Sequence, residues 1–198
     1  MSLQSIAEQV KGCQLCPLSK SRLHAVPGEG PDRAELMIVG EGPGREEDLQ
    51  GRPFVGRAGK LLTSALEEAG FRREEIFITN VVKCRPPENR TPTEDERDIC
   101  TSTYLVRQIE LIKPKFILLL GNTAVQTILG EKSVSKVRGK VIQADENNYF
   151  CTYHPAAVLY DVTLKEIFAQ DVKMLKQILL NPDRYLRRGR QTSLEKFA

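Results

Sequence analysis

Four of the five cysteines have a spacing that could hold an iron–sulfur cluster. Cys13 and Cys16 form a Cys-x-x-Cys pair, and Cys84 and Cys100 follow with fifteen residues between them. A zinc ribbon normally has two tight pairs, so the wide second spacing disfavours zinc, whereas four thiolates suit a 4Fe-4S cluster. The alternative is that these are unrelated small core residues. Cys151 lies in an apolar run and is expected in the core.

A second set of residues could bind a planar base and act on a bond to it. His154 precedes Pro155 after an apolar run, and its imidazole could donate to a developing oxyanion, although a lone histidine is more often structural. The amide of Asn80 offers both a donor and an acceptor, which suits a base edge; its alternative role is in a turn. Phe54 lies in a loop of glycine and proline, where it could stack on a base or fill the core.

The segment Gly40-Glu41-Gly42-Pro43-Gly44 could bring the backbone close to a ligand. It follows an apolar run, and N–H groups at the start of the next helix could hold an anion. No Gly-Lys-Ser/Thr follows, so it is not a Walker loop, and an ordinary strand-to-helix turn is the alternative. Glu46, Glu47 and Asp48 then read as a solvated acidic first turn, unless Glu41 or Glu47 orients a water or holds a site residue.

The apolar pattern predicts the elements that position these residues. Three continuous apolar runs and one more mixed run predict buried strands at residues 36–39, 76–79, 116–120 and 149–153. Amphipathic periodicity predicts helices at residues 60–69, 122–129 and 164–180. A further helix is expected to be capped by Thr91, with Glu94 completing the capping box, and to end before Pro114.

Strands that alternate with helices indicate an α/β fold, with a parallel sheet and helices on both faces. Ligands bind such sheets beyond the carboxyl ends of the strands. The glycine-rich segment, Asn80 and His154 all follow predicted strands. We therefore expect them to converge at one edge of the sheet.

Length and composition narrow the classes of protein that are compatible with this sequence. The chain has 198 residues, of which 40% are hydrophobic and 28% charged, so it can bury the core of one α/β domain. A net charge of +3 permits nucleic-acid binding without arguing for it. No apolar run has the roughly 18 residues of a membrane helix, and no export signal is recognised, so an intracellular, cytoplasmic protein is expected.

The motifs together resemble the family-4 uracil-DNA glycosylases, the iron–sulfur, thermostable branch of that superfamily. Family-5 enzymes have a different residue where Glu41 stands, so the resemblance favours the uracil-selective branch. The matching motifs are Cys13-x-x-Cys16, Gly40-Glu41-Gly42-Pro43-Gly44 with Glu47-Asp48, Gly51-Arg52-Pro53-Phe54-Val55-Gly56, Ile78-Thr79-Asn80-Val81-Val82-Lys83-Cys84-Arg85-Pro86-Pro87, Asn89-Arg90, Cys100 and His154-Pro155-Ala156.

The resemblance implies a three-layer α/β/α sandwich with a central four-stranded parallel sheet. It implies a 4Fe-4S cluster on Cys13, Cys16, Cys84 and Cys100, and base excision repair in which uracil is hydrolysed from DNA to leave an abasic site. Phe54 would stack on the base, Asn80 would pair with its edge, and His154 would donate to O2. The implied uracil-binding residues are Glu41, Gly42, Pro43, Glu47, Phe54, Asn80 and His154.

The resemblance leaves the roles of several residues open. Glu41, Glu47 and Asn89 are the candidates for the residue that activates water, beside the catalytic His154. No lysine in the motifs suits Schiff-base chemistry, so a monofunctional enzyme is expected. Val158 and Leu159 are candidates for an apolar wedge in the DNA, or for helix-start packing. A broader deaminated-base glycosylase and a non-catalytic four-cysteine nucleic-acid-binding or redox module are the alternative functions.

The C-terminus carries a second resemblance. Residues 1–186 read as the glycosylase-like domain, which we expect to be monomeric, and residues 187–198 as a basic tail. The tail ends in a peptide similar to those that bind PCNA-type sliding clamps, with Gln191, Leu194 and Phe197 as the binding residues. Ala198 departs from the usual second aromatic residue, which predicts weaker binding. Such a peptide points to an archaeal source.

Overall fold

The computed structural model describes residues 2–186, whose centre is a five-stranded sheet. The strand order is β2-β1-β3-β5-β4, and all neighbours pair in parallel except β4, which is antiparallel to β5. The strands are β1 (Leu36–Gly40), β2 (Phe77–Asn80), β3 (Phe116–Leu120), β4 (Val141–Ala144) and β5 (Asn147–Thr152). The α/β class is confirmed, and the four predicted strands are present.

The expected four-stranded parallel sheet is present as β2-β1-β3-β5, and a fifth, antiparallel strand, β4, extends its edge. β4 is half-buried along its whole length, so its sequence lacks the continuous apolar run that identifies a central strand. It is joined to β5 by Asp145 and Glu146, both with positive φ, in a tight turn that brings Ala144 opposite Asn147. This two-residue connection lacks the glycine that usually signals such a turn.

Helices cover both faces of the sheet and create the three layers. They are α1 (Leu3–Gly12), α2 (Arg45–Gln50), α3 (Arg57–Glu68), α4 (Glu94–Cys100), α5 (Val106–Ile112), α6 (Gly121–Leu129), α7 (Val134–Val137), α8 (Pro155–Tyr160) and α9 (Leu164–Leu180). A π-helical turn, Thr101–Leu105, joins α4 to α5, and short 3-10 turns span Pro17–Lys20, Arg73–Glu75, Pro87–Asn89 and Pro182–Arg184. The predicted helix at 164–180 is confirmed, and so is a helix start after the glycine-rich segment, whereas α1 and α7 had no predicted counterpart.

The predicted start of α4 is wrong by two residues. The Thr93 hydroxyl accepts the Glu96 N–H at 3.3 Å, and the Glu96 carboxylate accepts the Thr93 N–H at 2.8 Å. The same Thr-x-x-Glu spacing occurs at Thr91 and Glu94, so the sequence offers two overlapping capping boxes. Arg90 pairs with the Glu96 carboxylate at 2.7 Å, which favours the second box.

Two apolar cores lie on opposite faces of the sheet because successive strand residues point to opposite sides. Met37 and Val39 face the core beneath α1, α5 and α6, whereas Leu36 and Ile38 face the core beneath α3, α8 and α9. Every residue of β1 and β3 is buried. In the described part of the chain no helix is both long and apolar enough to cross a membrane.

Candidate active site and cysteine site

A cavity of about 420 Å³ lies where the loops after β1, β2 and β5 meet. The parallel pairing of Gly40 with Asn80 sets the ends of β1 and β2 side by side, so their loops face the same space. The wall contains every predicted uracil-binding residue and also Asn89, Arg90, Ala58 and Tyr160. The predicted residues in it are Glu41, Gly42, Pro43, Glu47, Phe54, Asn80 and His154.

His154 is held as a neutral donor at this cavity. It is the N-cap of α8, and its Nδ1 accepts the Ala156 N–H at 3.2 Å, so the ring proton of the neutral form resides on Nε2. Burial lowers the pKa of His154 to about 4, against a smaller opposing effect of Glu47. Nε2 is buried and has no hydrogen-bond partner within residues 2–186.

Asn80 places an unpaired hydrogen-bond acceptor at the same cavity as the unpaired donor of His154. It is the last residue of β2 and only 2% exposed, and its Oδ1 also has no partner in the described part of the chain. Gly40 beside it must be glycine, because an added Cβ would lie 2.5 Å from both Asn80 Oδ1 and Phe54 Cζ. The strand pairing thus places an amide and an aromatic ring around one small residue.

Phe54 forms a third side of the cavity in a constrained conformation. Its φ of 51° lies in the left-handed region, and its ring centroid is 5.8 Å from that of His154 at an interplanar angle of 37°. Gly59 permits the close approach, because a Cβ there would lie 1.9 Å from the Phe54 carbonyl oxygen. Surrounding structure, rather than local preference, holds this backbone in place.

Glu47 supplies much of that restraint. One carboxylate oxygen accepts the N–H groups of Val55 at 2.9 Å and Gly56 at 2.8 Å, and the other accepts the Gly44 N–H at 3.1 Å. One oxygen therefore fixes the loop carrying Phe54, and the other binds Gly44, the N-cap of α2. This arrangement suits positioning more than proton abstraction.

Glu41 and Asn89 occupy different settings at the cavity wall. Glu41 is half-buried, and its carboxylate accepts the hydroxyl of Thr123 from α6. Asn89 is exposed, has a positive φ of 55°, and accepts the Arg85 Nε–H at 2.8 Å through Oδ1. Of the two, Glu41 is the anionic group at the cavity.

The two wedge candidates differ in exposure. Val158 is 2% exposed and packs in the apolar core, as its alternative role in helix-start packing expects. Leu159 is 37% exposed, and Tyr160 is 93% exposed and lines the cavity. Sequence reasoning missed Tyr160 because it considered only Val158 and Leu159, the two residues directly after the His154 motif, and sequence order does not show which residues of a helix face the cavity.

The four cysteines Cys13, Cys16, Cys84 and Cys100, here called the thiol quartet, lie near one another in a separate corner. Burial raises the pKa of Cys16, Cys84 and Cys100, the last to about 12, and each of the three is also influenced by others of the quartet. All are free thiols. Within residues 2–186 no group of three or more His, Cys, Asp or Glu side chains meets the geometry for holding a metal ion.

Two sulfur atoms of the quartet receive hydrogen bonds. Arg22 donates to Cys84 Sγ at 2.8 Å, and the Lys83 backbone N–H lies 3.3 Å from Cys100 Sγ. Such donors stabilise thiolate rather than thiol. Cys151, by contrast, is fully buried in β5 among apolar residues.

Comparison with known families defines the class to which this fold and site belong. The model described as Uracil DNA glycosylase superfamily matches residues 27–176. That span contains all of the cavity residues named above. It omits Cys13 and Cys16.

Individual relatives narrow the class further. A type-4 uracil-DNA glycosylase from Sulfurisphaera tokodaii is 50% identical, over 93% of this chain and 88% of that protein. The type-4 uracil-DNA glycosylase from Archaeoglobus fulgidus is 46% identical, and the match covers 89% of this chain and 93% of that protein. The one from Thermotoga maritima is 45% identical, and the match covers 89% of this chain and 94% of that protein. This chain therefore belongs to the type-4 uracil-DNA glycosylase family, and the family prediction is confirmed.

Proposed function

We propose that this chain hydrolyses the N-glycosidic bond of uracil in DNA, releasing free uracil and leaving an abasic site. The observation that carries the proposal is the pair of unpartnered buried atoms at the cavity, Asn80 Oδ1 and His154 Nε2. Of the three such side-chain atoms in the described chain, only the third, Thr101 Oγ1, belongs to a residue outside the cavity wall. Buried polar atoms without partners are costly, so a ligand that pairs with both is expected.

Uracil has the complementary groups on one planar ring. Its N3–H can donate to Asn80 Oδ1, and its O2 can accept from His154 Nε2–H, while Phe54 packs against the ring. Because the base is inside a duplex before reaction, the nucleotide must leave the stack to enter the cavity. Donors and acceptors at these positions would favour uracil over cytosine, in which the edge groups are exchanged.

Bond cleavage places negative charge on the departing uracil. The neutral His154 donates a hydrogen bond toward O2 and stabilises that charge without transferring its proton. A sugar with oxocarbenium character remains, and a water attacks it. Glu41 is the candidate to orient this water, because both oxygens of Glu47 are engaged with backbone N–H groups and Asn89 has no charge.

A Glu41→Gln variant tests that assignment. It keeps the shape and the contact with Thr123 but loses the negative charge, so kcat should fall about tenfold to a hundredfold while KM changes little. Single-turnover uracil release on a labelled oligonucleotide measures the effect. Glu47→Gln, which disturbs the Phe54 loop, should raise KM as well. An unchanged kcat in Glu41→Gln would remove Glu41 from this role.

We infer a monofunctional enzyme, which requires that no lysine attack the sugar. The lysine within the main motif, Lys83, is 1% exposed and does not line the cavity. Its ammonium donates to Thr79 Oγ1, to the Asn80 carbonyl oxygen and to Gln108 Oε1, so it is engaged within the chain. Borohydride should therefore trap no covalent complex with uracil-containing DNA.

The decisive experiment is a uracil-release assay with wild type and Asn80→Asp. Wild type should create alkali-labile sites in uracil-containing single- or double-stranded DNA and none in the thymine control. Asn80→Asp should gain activity on cytosine, because the carboxylate can match the exchanged edge groups. Absence of cleavage by wild type would refute the proposal in favour of a non-catalytic nucleic-acid-binding or redox module. Oligonucleotides with hypoxanthine or xanthine test the broader-glycosylase alternative.

We also propose that the thiol quartet holds a 4Fe-4S cluster. The support is the donor set: four neighbouring free cysteines, of which Cys84 and Cys100 already receive N–H hydrogen bonds. When bound, such a cluster would join the N-terminal segment to α4 and the loop after β2, a structural role. Iron and sulfide analysis of protein purified without oxygen tests it. A colourless, zinc-loaded protein would refute it.

Contacts with DNA and with a clamp are proposed at two separate places. Leu159 and Tyr160 are the exposed apolar side chains beside the cavity and are the candidates to fill the gap left by a flipped base. The clamp residues Gln191, Leu194 and Phe197, and the tail 187–198 as a unit, lie outside the described residues. Deletion of residues 191–198 should abolish binding to a PCNA-type clamp and leave uracil release from short oligonucleotides unchanged.

A further inference from the structure

Lys83 is a buried lysine that the proposed reaction does not use. It is among the largest fully buried side chains and follows Asn80 by three residues. Its Nζ lies 2.6 Å from Thr79 Oγ1, 2.8 Å from the Asn80 carbonyl oxygen and 2.7 Å from Gln108 Oε1. No carboxylate is among its contacts within residues 2–186.

All three neighbours act as acceptors, so the lysine must be an ammonium with its three protons donated. The Asn80 and Gln108 oxygens can only accept. The Thr79 hydroxyl donates to the Pro27 carbonyl at 3.1 Å, which leaves its oxygen to accept from Lys83. Gln108 also donates to Pro27, at 2.7 Å. The network is therefore complete, and its directions are determined by chemistry.

The network connects the end of β2 to two distant parts of the chain. Gln108 lies on α5, and Pro27 belongs to the segment before β1. The backbone N–H of Lys83 faces Cys100 Sγ of the thiol quartet, and its carbonyl accepts the Val26 N–H at 2.7 Å. Lys83 thus contacts the thiol quartet through its backbone N–H and the peptide of Asn80 through its side chain.

We propose that Lys83 is a positioning residue that fixes the peptide of Asn80, and so the direction in which the Asn80 amide meets the base. The inference rests on the proposed function, since it assumes that Asn80 reads uracil. The buried ammonium donates to the Asn80 carbonyl oxygen at 2.8 Å, and this hydrogen bond restrains the peptide at the last residue of β2. An error of about 1 Å in such a group can cost about a hundredfold in rate.

A double-mutant cycle tests the proposal. Lys83→Met retains most of the side-chain volume and the backbone bond to Cys100 but removes the ammonium. We expect kcat/KM for uracil release to fall about tenfold to a hundredfold, whereas Lys115→Met, at an exposed lysine, should have no effect. In an Asn80→Ala background, Lys83→Met should cause no additional loss, because both changes act through the same amide.

If Lys83→Met does not fold, a milder variant and a second measurement still test the proposal. Gln108→Met removes one of the three acceptors without touching β2 and should give a smaller loss, which also disappears in Asn80→Ala. The side-chain amide resonance of Asn80 should shift in Lys83→Met and Gln108→Met but not in Lys115→Met. Visible absorption and melting temperature report whether the fold and the cysteine site are intact.

The outcomes separate this inference from the proposed function. If wild type releases no uracil, the function fails, and the Asn80 resonance still decides whether Lys83 positions the amide. If wild type is active and the two losses multiply in the double variant, Lys83 acts on the fold alone and the inference is overturned. Wild-type activity and an unshifted Asn80 resonance in well-folded Lys83→Met would overturn it as well.

Discussion

The buried polar groups at the cavity and those beneath α9 have opposite hydrogen-bonding states. At the cavity, Asn80 Oδ1 and His154 Nε2 are buried without partners. Beneath α9, Asp171 is 3% exposed, yet Arg138 donates to its two oxygens at 2.8 and 3.1 Å and Thr152 to one of them at 2.6 Å. We call these three residues the Asp171 cluster.

The difference distinguishes polar groups that are available to bind a ligand from polar groups that stabilise the fold. Thr152 is the last residue of β5 and His154 is the N-cap of α8, so a paired and an unpaired group lie only two residues apart in the chain. A buried atom whose partner is within the chain contributes to stability, whereas one whose partner is absent contributes only when a ligand binds. The comparison predicts that substitutions in the two regions change different measurements.

The largest effect is expected at His154. His154→Ala removes the donor toward O2, so kcat should fall about 10²- to 10³-fold, with DNA affinity and melting temperature nearly unchanged. Single-turnover uracil release and a DNA-binding titration measure both quantities. His24→Ala is the matched control, because His24 is exposed and does not line the cavity. Equal losses in the two variants would show that the loss does not depend on the position of His154 at the cavity.

The Asp171 cluster should show the reverse behaviour. Asp171→Ala leaves Arg138 without its partner, so the free energy of unfolding should fall by about 3 kcal/mol. Activity per folded molecule, measured well below the melting temperature, should stay within about threefold of wild type. Denaturant unfolding provides the measurement. Glu35→Ala, at an ion pair in which both side chains are more than half exposed, should cost under about 1 kcal/mol.

The pH dependence should distinguish the effect of His154 on the reaction rate from its effect on stability. Because burial lowers the pKa of His154 to about 4 from its usual 6.5, its neutral form persists as pH falls from 7 to 5. The rate step that depends on His154 should therefore be flat across that range. The unfolded chain takes up this proton first, so the stability contributed by His154 should fall as pH drops from 6.5 toward 4.

That prediction is measured by two profiles on the same samples. Single-turnover rates should stay level while the denaturant midpoint declines, and His154→Gln should reduce the decline. A rate that instead titrates near the ordinary histidine pKa of 6.5 would show that the imidazole is not held neutral.

The smallest effects should come from α8, where Val158 is buried in the core and Tyr160, two residues later, is exposed at the cavity. Val158→Ala removes a buried side chain and should cost roughly 2 kcal/mol in stability with DNA affinity unchanged. Tyr160→Ala removes an exposed one and should weaken DNA binding severalfold with stability unchanged. Melting curves and DNA titrations of both variants measure the contrast. Reversed results would mean that α8 rotates when DNA binds.

The central strands and the cavity residues were predictable for clear reasons. β1 and β3 are buried on both faces, so their runs are continuous, and the residues after parallel strands must share an edge. β4 was not predictable, because an edge strand has neither a continuous run nor a full alternation. The capping box of α4 was ambiguous, since two Thr-x-x-Glu spacings overlap and only the Arg90–Glu96 contact favours one.

Spacing and residue type alone determined much about this protein: the Cys-x-x-Cys pair with its two later cysteines, the order of strands and loops, and the motifs of the family. Only the tertiary structure decided which polar atoms are paired. Glu47 is engaged by Val55 and Gly56, Glu41 is reached by Thr123 from 82 positions away, and Lys83 has Gln108 as a partner. Hydrogen bonding depends on which groups meet in space, and sequence order carries little of that information.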